Sequence, residues 1–130
     1  MNLVFDTSIL IAIERNNKNI IKKLNELYQL YPAPPQLTFI SYLEYLIGLK
    51  IRKTKLINAS ITFLNSFNVI NTTTLTADIL SDLRIKYDKK GITLPLADML
   101  SASIAIENGL IMITADKDFE KIEELKKIIL

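Results

Sequence analysis

The chain reads as an α/β protein: a three-layer sandwich around a central, mostly parallel sheet of about five strands. Three observations carry this reading. Leu3-Val4-Phe5 and Leu110-Ile111-Met112-Ile113-Thr114 are continuous apolar runs, as expected of strands buried on both faces. Short strand patterns alternate with longer helical ones along the whole sequence. The 130 residues are 49% hydrophobic, enough for a real core, and one domain over residues 1–130 is expected.

The elements follow in order. Residues 3–5 form the first strand. Thr7 to Glu14 is a short, mostly buried helix carrying Ile9, Leu10, Ile11 and Ile13, and polar Arg15-Asn16-Asn17 breaks it. From Lys18 to Leu30, apolar Ile20, Ile21, Leu24, Leu27 and Tyr28 recur at helical spacing, with lysines on the other face. Pro32-Ala33-Pro34-Pro35 ends that helix. Leu37 to Ile40 is a short strand, and Ser41 starts the next helix, whose end carries Lys50, Arg52 and Lys53. Lys55 to Phe67 is another apolar-rich helix, and Asn68-Val69-Ile70 a brief strand. Thr74 to Lys90 is a long helix with Gly91 at its C′ position. Thr93-Leu94-Pro95 opens the helix that runs to Asn108-Gly109, with Pro95 near its first position. After the strand 110–114, Asp116 to Ile122 is a short helix and Lys127 to Leu130 a last edge strand.

Composition removes several function classes. The sequence has no cysteine, hence no disulfide framework and no thiolate metal site, as suits a reducing cytosol. It has no histidine, which excludes Ser-His-Asp and Cys-His catalysis and histidine-ligated zinc. Hydrolytic chemistry must then run on carboxylates, hydroxyls and lysines. Carboxylates suit hard cations such as Mg2+ or Mn2+. No run approaches the ~18 apolar residues of a membrane span, and no secretory signal is expected at the N-terminus. The net charge of +2 leaves room for a local basic patch.

The candidates for chemistry are Asp6, Glu44, Asp98 and Asp116, with Thr7, Ser8, Thr114 and Asp118 in support. Asp6 ends the first strand; Glu44 and Asp98 lie in first turns of helices; Asp116 lies just past the strand 110–114. In a parallel sheet, strand ends and the helix starts that follow gather on one edge, where open α/β sheets bind ligands. Carboxylates within ~4–6 Å disfavour one another's ionised form, so such a cluster takes up protons or a cation. A divalent metal offsets the charge and activates water, which makes phosphodiester hydrolysis the natural reaction. Each acid also has a plainer reading. Asp6 could cap a helix, Ser41-Tyr42-Leu43-Glu44 fits a capping box, Asp98 favours an early turn through the macrodipole, and Asp116 and Asp118 could be N-caps. Thr7, Ser8 and Thr114 could be turn or cap hydroxyls.

Leu3-Val4-Phe5-Asp6-Thr7-Ser8, Ser41-Tyr42-Leu43-Glu44, Leu96-Ala97-Asp98-Met99-Leu100-Ser101-Ala102 and Leu110 to Phe119 together resemble the PIN-domain ribonucleases, and within them the small VapC-type toxins. The resemblance spans nearly the whole chain. It implies a PIN-like parallel sheet of about five strands flanked by helices. It implies Asp6 and Asp98 as the firmest ligands of Mg2+ or Mn2+, Glu44 acting directly or through water, and Asp116 completing the cluster with Thr114 hydrogen-bonded nearby. Asp118 ranks as supporting. It further implies a cytoplasmic endoribonuclease that cuts tRNA, rRNA or mRNA, is paired with a small antitoxin in the acidic groove, and forms a homodimer.

RNA affinity would have to come from local cations. The candidates are Lys50, Arg52, Lys53 and Lys55, with Arg15, Lys18, Lys86, Lys89 and Lys90 behind them; a solvated helix face is the plainer reading. The helices 55–67 and 74–90 are expected to carry surplus apolar surface for a dimer or antitoxin contact. Two rival functions stand beside the nuclease. One is a PIN-like module that binds RNA or protein without cutting. The other is a phosphotransfer or phosphatase domain with Asp6 as nucleophile, against which Ser8 stands where a second acid of a D-x-D pair would be.

Overall fold

A computed structural model describes residues 2–52 and 57–130. Its elements run β1 (Leu3–Phe5), α1 (Thr7–Glu14), α2 (Lys18–Leu30), β2 (Gln36–Thr38), α3 (Phe39–Arg52), α4 (Ile57–Asn65), β3 (Asn68–Ile70), α5 (Thr74–Lys89), α6 (Leu96–Glu107), β4 (Ile111–Thr114), a 3₁₀ helix (Lys117–Lys121) and β5 (Lys127–Ile129).

The five strands form one sheet in the order β3-β2-β1-β4-β5, every pair parallel. The chain lays β2 and β3 on one side of β1, then β4 and β5 on the other. The crevice where the order reverses therefore lies between β1 and β4, in register at Leu3–Ile111, Val4–Met112 and Phe5–Ile113.

Strand alternation sorts the core into two layers. Leu3, Phe5, Leu37, Ile111 and Ile113 point to the face covered by α1–α4, where they pack with Ile9, Leu10, Tyr45, Leu49 and Leu64. Val4 and Met112 point to the other face and pack with Leu83 and Tyr87 of α5 and Met99, Ala102 and Ala105 of α6. Phe67 closes the first layer, its ring 6.2 Å from Phe5 and edge-on to Phe63 at 5.2 Å.

Local chemistry sets the ends of the elements. Asn16 takes a left-handed φ of 54°, and the Asn17 N–H reaches back to the Ala12 carbonyl; Asn17 then caps α2 by accepting from the Ile20 N–H. Gly91, at φ 71°, ends α5 as expected. The second strand is Gln36–Thr38 rather than Leu37–Ile40, and several further boundaries differ from the sequence reading. α3 starts at Phe39, not Ser41, because the Thr38 hydroxyl at the end of β2 accepts from the Ser41 N–H and caps the helix earlier. Pro95 is the N-cap of α6 rather than its first residue, with extended ψ of 140°. α4 ends at Asn65, where Ser66 and Phe67 turn back onto Phe63 and Leu64; Lys55 and Leu56, in the expected start of that helix, lie outside the described residues. Among the described residues no helix is long and apolar enough to cross a membrane.

Surplus apolar surface is distributed differently from the expectation. α5 exposes Leu75 and Ile85, but no described residue of α4 is among the large exposed apolar side chains. The longest stripe is on α3, where Phe39, Leu43, Ile47 and Ile51 recur every fourth residue and all face solvent.

Candidate active site

Asp6 leaves the end of β1 into the crevice between β1 and β4 and is 8% exposed. Its Oδ2 accepts from Ser8 Oγ at 2.9 Å, Thr114 Oγ1 at 2.9 Å and, more weakly, the Ser8 N–H at 3.4 Å. The helix-cap reading of Asp6 is thus realised as well, but the capping bond is the longest of the three. Each hydroxyl has one proton, and both protons go to Asp6, so the 3.3 Å approach of Ser8 Oγ to Thr114 Oγ1 is contact rather than a further bond. The hydroxyl lone pairs are used too: Ser8 Oγ accepts from the Ala115 N–H (2.9 Å) and Thr114 Oγ1 from the Asp116 N–H (3.0 Å). Ser8 and Thr114 therefore hold the Asp6 carboxylate and the turn after β4 in one network. Oδ1 of Asp6 takes no hydrogen bond from the described residues and is reached by solvent.

The other acids converge on this edge. Glu44, exposed one turn into α3, accepts from Thr7 Oγ1 at 3.1 Å, which ties α3 to the start of α1. The Ser41–Glu44 capping box does not form, since the Ser41 N–H is already held by Thr38. Asp116 caps the 3₁₀ helix by accepting from the Asp118 N–H at 2.9 Å. Asp118 is exposed and pairs with Lys121 at 3.3 Å. Asp98 sits half-buried in the first turn of α6. Burial pushes its carboxyl up from an ordinary 3.8 to about 6, and the charges of Asp116, Asp6, Glu44 and Asp118 add to the rise. Asp98 thus feels each of the other acids, contributed by β1, α3 and the segment after β4.

The donor set suits a hard cation, since every side chain at this edge offers oxygen. Among the described residues, no group of three or more His, Cys, Asp or Glu side chains is disposed as a ready ligand set. The two observations concern different ranges. Coulomb repulsion acts over several ångströms, whereas ligation needs oxygens about 2.0–2.6 Å from one point. The carboxylates share one region of negative charge but stand further apart than a closed ligand shell.

Structure also gives some residues roles that sequence reading did not assign to them. Thr38, Ser41 and Ser101 form a buried hydroxyl cluster between β2, α3 and α6, with Thr38 Oγ1 2.9 Å from Ser101 Oγ and 3.3 Å from Ser41 Oγ. The available signal was Ser41 and Ser101, each one helical turn from a motif acid, with Thr38 at the end of the strand before Ser41. At the far end of α1 and α3, Arg52 grips Glu14 with two bonds of 2.7 and 3.0 Å, and buried Tyr45 donates to Glu14 Oε2 at 2.8 Å. The Arg52 guanidinium holds the Glu14 carboxyl below its usual range, and burial with the Glu14 bond pushes Tyr45 up to about 12.

The cationic candidates separate by partner. Arg52 is engaged by Glu14. Lys86 bridges Glu123 and Glu124 at 3.1 Å each, and Lys90 lies 3.7 Å from Glu123. Lys50, Arg15, Lys18 and Lys89 are exposed. Lys53 and Lys55 lie outside the described residues.

A parallel α/β domain with carboxylates gathered at its switch-point edge is the class that fold and site define. The chain belongs to the PIN-domain family, whose model matches residues 3–125. Its structure is similar to VapBC2 from Rickettsia felis bound to a DNA fragment from its promoter, with TM-score 0.82 and 22% identity over 100% of this chain and 99% of that one. It is also similar to a toxin–antitoxin complex from Klebsiella pneumoniae, with TM-score 0.75 and 26% identity over 96% and 95% of the two chains. VapBC-1 from nontypeable Haemophilus influenzae is a further neighbour, with TM-score 0.80 and 23% identity over 99% and 98%. No curated protein matches the chain.

Proposed function

We propose that this chain, acting as one domain, is a cytoplasmic endoribonuclease dependent on Mg2+ or Mn2+, and the toxin of a toxin–antitoxin pair. The observation that carries this reading is the half-buried Asp98, whose carboxyl is raised by burial and then by the charges of four other acids from the end of β1, from α3 and from the segment after β4. Membership of the PIN family and likeness to toxin–antitoxin complexes support it. In this reading Asp6, Asp98, Glu44 and Asp116 hold the cation, and Asp6 offers the Oδ1 that the hydroxyl network leaves free. Ser8 and Thr114 keep that carboxylate from rotating. Thr7 steadies Glu44, and Asp118 adds negative potential at the rim. A divalent cation held by these carboxylates would supply Lewis-acid chemistry, activating water and offsetting charge on the phosphate. The acids would orient that water, and exposed cations such as Lys50 would attract the phosphate backbone of a tRNA, rRNA or mRNA substrate.

The α3 stripe of Phe39, Leu43, Ile47 and Ile51 fits a homodimer contact, because a two-fold axis brings one self-complementary patch against itself. The antitoxin then covers the acidic edge.

A second reading is a PIN-like module that binds RNA or protein without cutting, favoured by the absence of a ready ligand set among the described residues. One experiment separates the two. Purified protein and its Asp6→Asn variant are incubated with a mixed RNA pool in Mg2+, Mn2+ or EDTA. Metal-dependent cleavage lost in the variant is the expected result. RNA retained with no cleavage under any condition selects the binding module.

A further inference from the structure

Glu44 and Asp98 sit on different helices, α3 and α6, which pack against each other. Like charges on both helices push them apart. Beside the acids the two helices are joined through a buried hydroxyl cluster. Ser41 lies one turn before Glu44 on α3, and Ser101 one turn after Asp98 on α6. Both bond to the same atom, Thr38 Oγ1, at the end of β2. All three residues are at most 3% exposed. The bonds are consistent at Thr38 Oγ1: its hydroxyl donates to Ser41 Oγ, so Ser101 donates to Thr38, which also accepts the Ser41 N–H. An apolar contact would tolerate sliding between the helices; this joint is directional and dry, and leaving it half-made exposes no group to water.

We infer that Thr38, Ser41 and Ser101 are positioning residues that set the separation of Glu44 and Asp98. This rests on the reading of those acids as cation ligands. Ser101→Ala removes only the α6 half of the joint and leaves the α3 cap intact. Thr38→Val removes both halves, and Thr38→Ser restores the hydroxyl.

The test is Mn2+ titration of the metal-free protein by calorimetry, well below the melting temperature, with crystal structures of the wild type and Ser101→Ala. Expected is an affinity about tenfold weaker in Ser101→Ala, the low end for removal of a group supporting a ligand, weaker again in Thr38→Val, and near wild type in Thr38→Ser. Leu64→Val, a core change in α4 away from the joint, lowers stability but not affinity. Wild-type affinity in Ser101→Ala overturns the inference. So does an unchanged Glu44–Asp98 separation in the Ser101→Ala crystal. If wild type and Asp98→Asn take up no Mn2+ alike, the nuclease reading fails on its own, and the crystal separation still decides the role of the hydroxyls.

Discussion

Thr114 Oγ1 donates a 2.9 Å hydrogen bond to Asp6 Oδ2 across 108 positions of sequence. The same oxygen accepts the Asp116 N–H, so one buried hydroxyl joins the ends of β1 and β4 and aims two of the four acids. Thr114→Val keeps the shape and leaves a carboxylate oxygen and a backbone N–H short of partners. The expected cost is about 1–3 kcal/mol, read as a melting temperature lower by roughly 5 °C or more. RNA cleavage falls about 10–100-fold, and Thr114→Ser recovers most of both losses. A valine variant that melts and cuts like wild type sinks the assigned role.

Asp98→Asn should separate stability from function. A carboxyl raised to about 6 from 3.8 favours the proton in the folded state, so its charge destabilises the fold above pH 6. That penalty fades as pH falls through 6 and is absent below the unfolded value. Solvent screening of a half-exposed group reduces it to about 1 kcal/mol. Urea unfolding of the metal-free variant should therefore show that gain at pH 7.5 and none near pH 3.5, while cation uptake is lost. Equal destabilisation at both pH values would contradict the placement of Asp98.

The same carboxyl sets an acid limit on metal uptake. Below pH 6 a cation must displace the Asp98 proton, so Mn2+ affinity should weaken by up to about tenfold per pH unit. Affinity that is flat between pH 7 and pH 5 would remove Asp98 from the ligands.

Arg52 and Lys50 should respond differently. Arg52→Ala breaks the bidentate Glu14 pair and leaves Glu14 with the Tyr45 hydroxyl alone, which predicts a loss of about 1 kcal/mol, given that the pair is partly exposed. Lys50→Ala should leave stability alone and lower the slope of RNA affinity against salt by about one. Filter binding across a salt series checks this; an Arg52 effect on the slope as large as that of Lys50 would argue that the Glu14 pair opens for phosphate.

Ile47→Lys places a charge in the middle of the α3 stripe, where Ile47 is 48% exposed. The monomer should fold as before, because the residue makes little of the core. Sedimentation should show self-association weakened by at least tenfold. A variant that associates like wild type moves the dimer contact elsewhere.

Much of the fold was legible because its signals are local. Continuous apolar runs mark β1 and β4, polar Arg15-Asn16-Asn17 marks the break between α1 and α2, and Gly91 marks the end of α5. The acids were legible as strand-end and helix-start residues, and parallel topology brings them to one edge. The start of α3 was not, since Thr38 competes with Ser41 for the cap and wins only by being buried where the helix begins. Nor was the apolar stripe: Phe39, Leu43, Ile47 and Ile51 carry the same spacing as a core face.

By itself the sequence determined which elements form, the lack of any histidine or cysteine chemistry, and the set of acids available to the site. Only the tertiary structure decided which hydroxyls serve those acids, which cations are already paired, and which apolar face is left without a partner. The physical reason is range. Propensity, capping and periodicity act within a few residues along the chain. The Asp6–Thr114, Thr38–Ser101 and Glu14–Arg52 pairs are separated by 108, 63 and 38 positions and exist only once the sheet and its helices have packed.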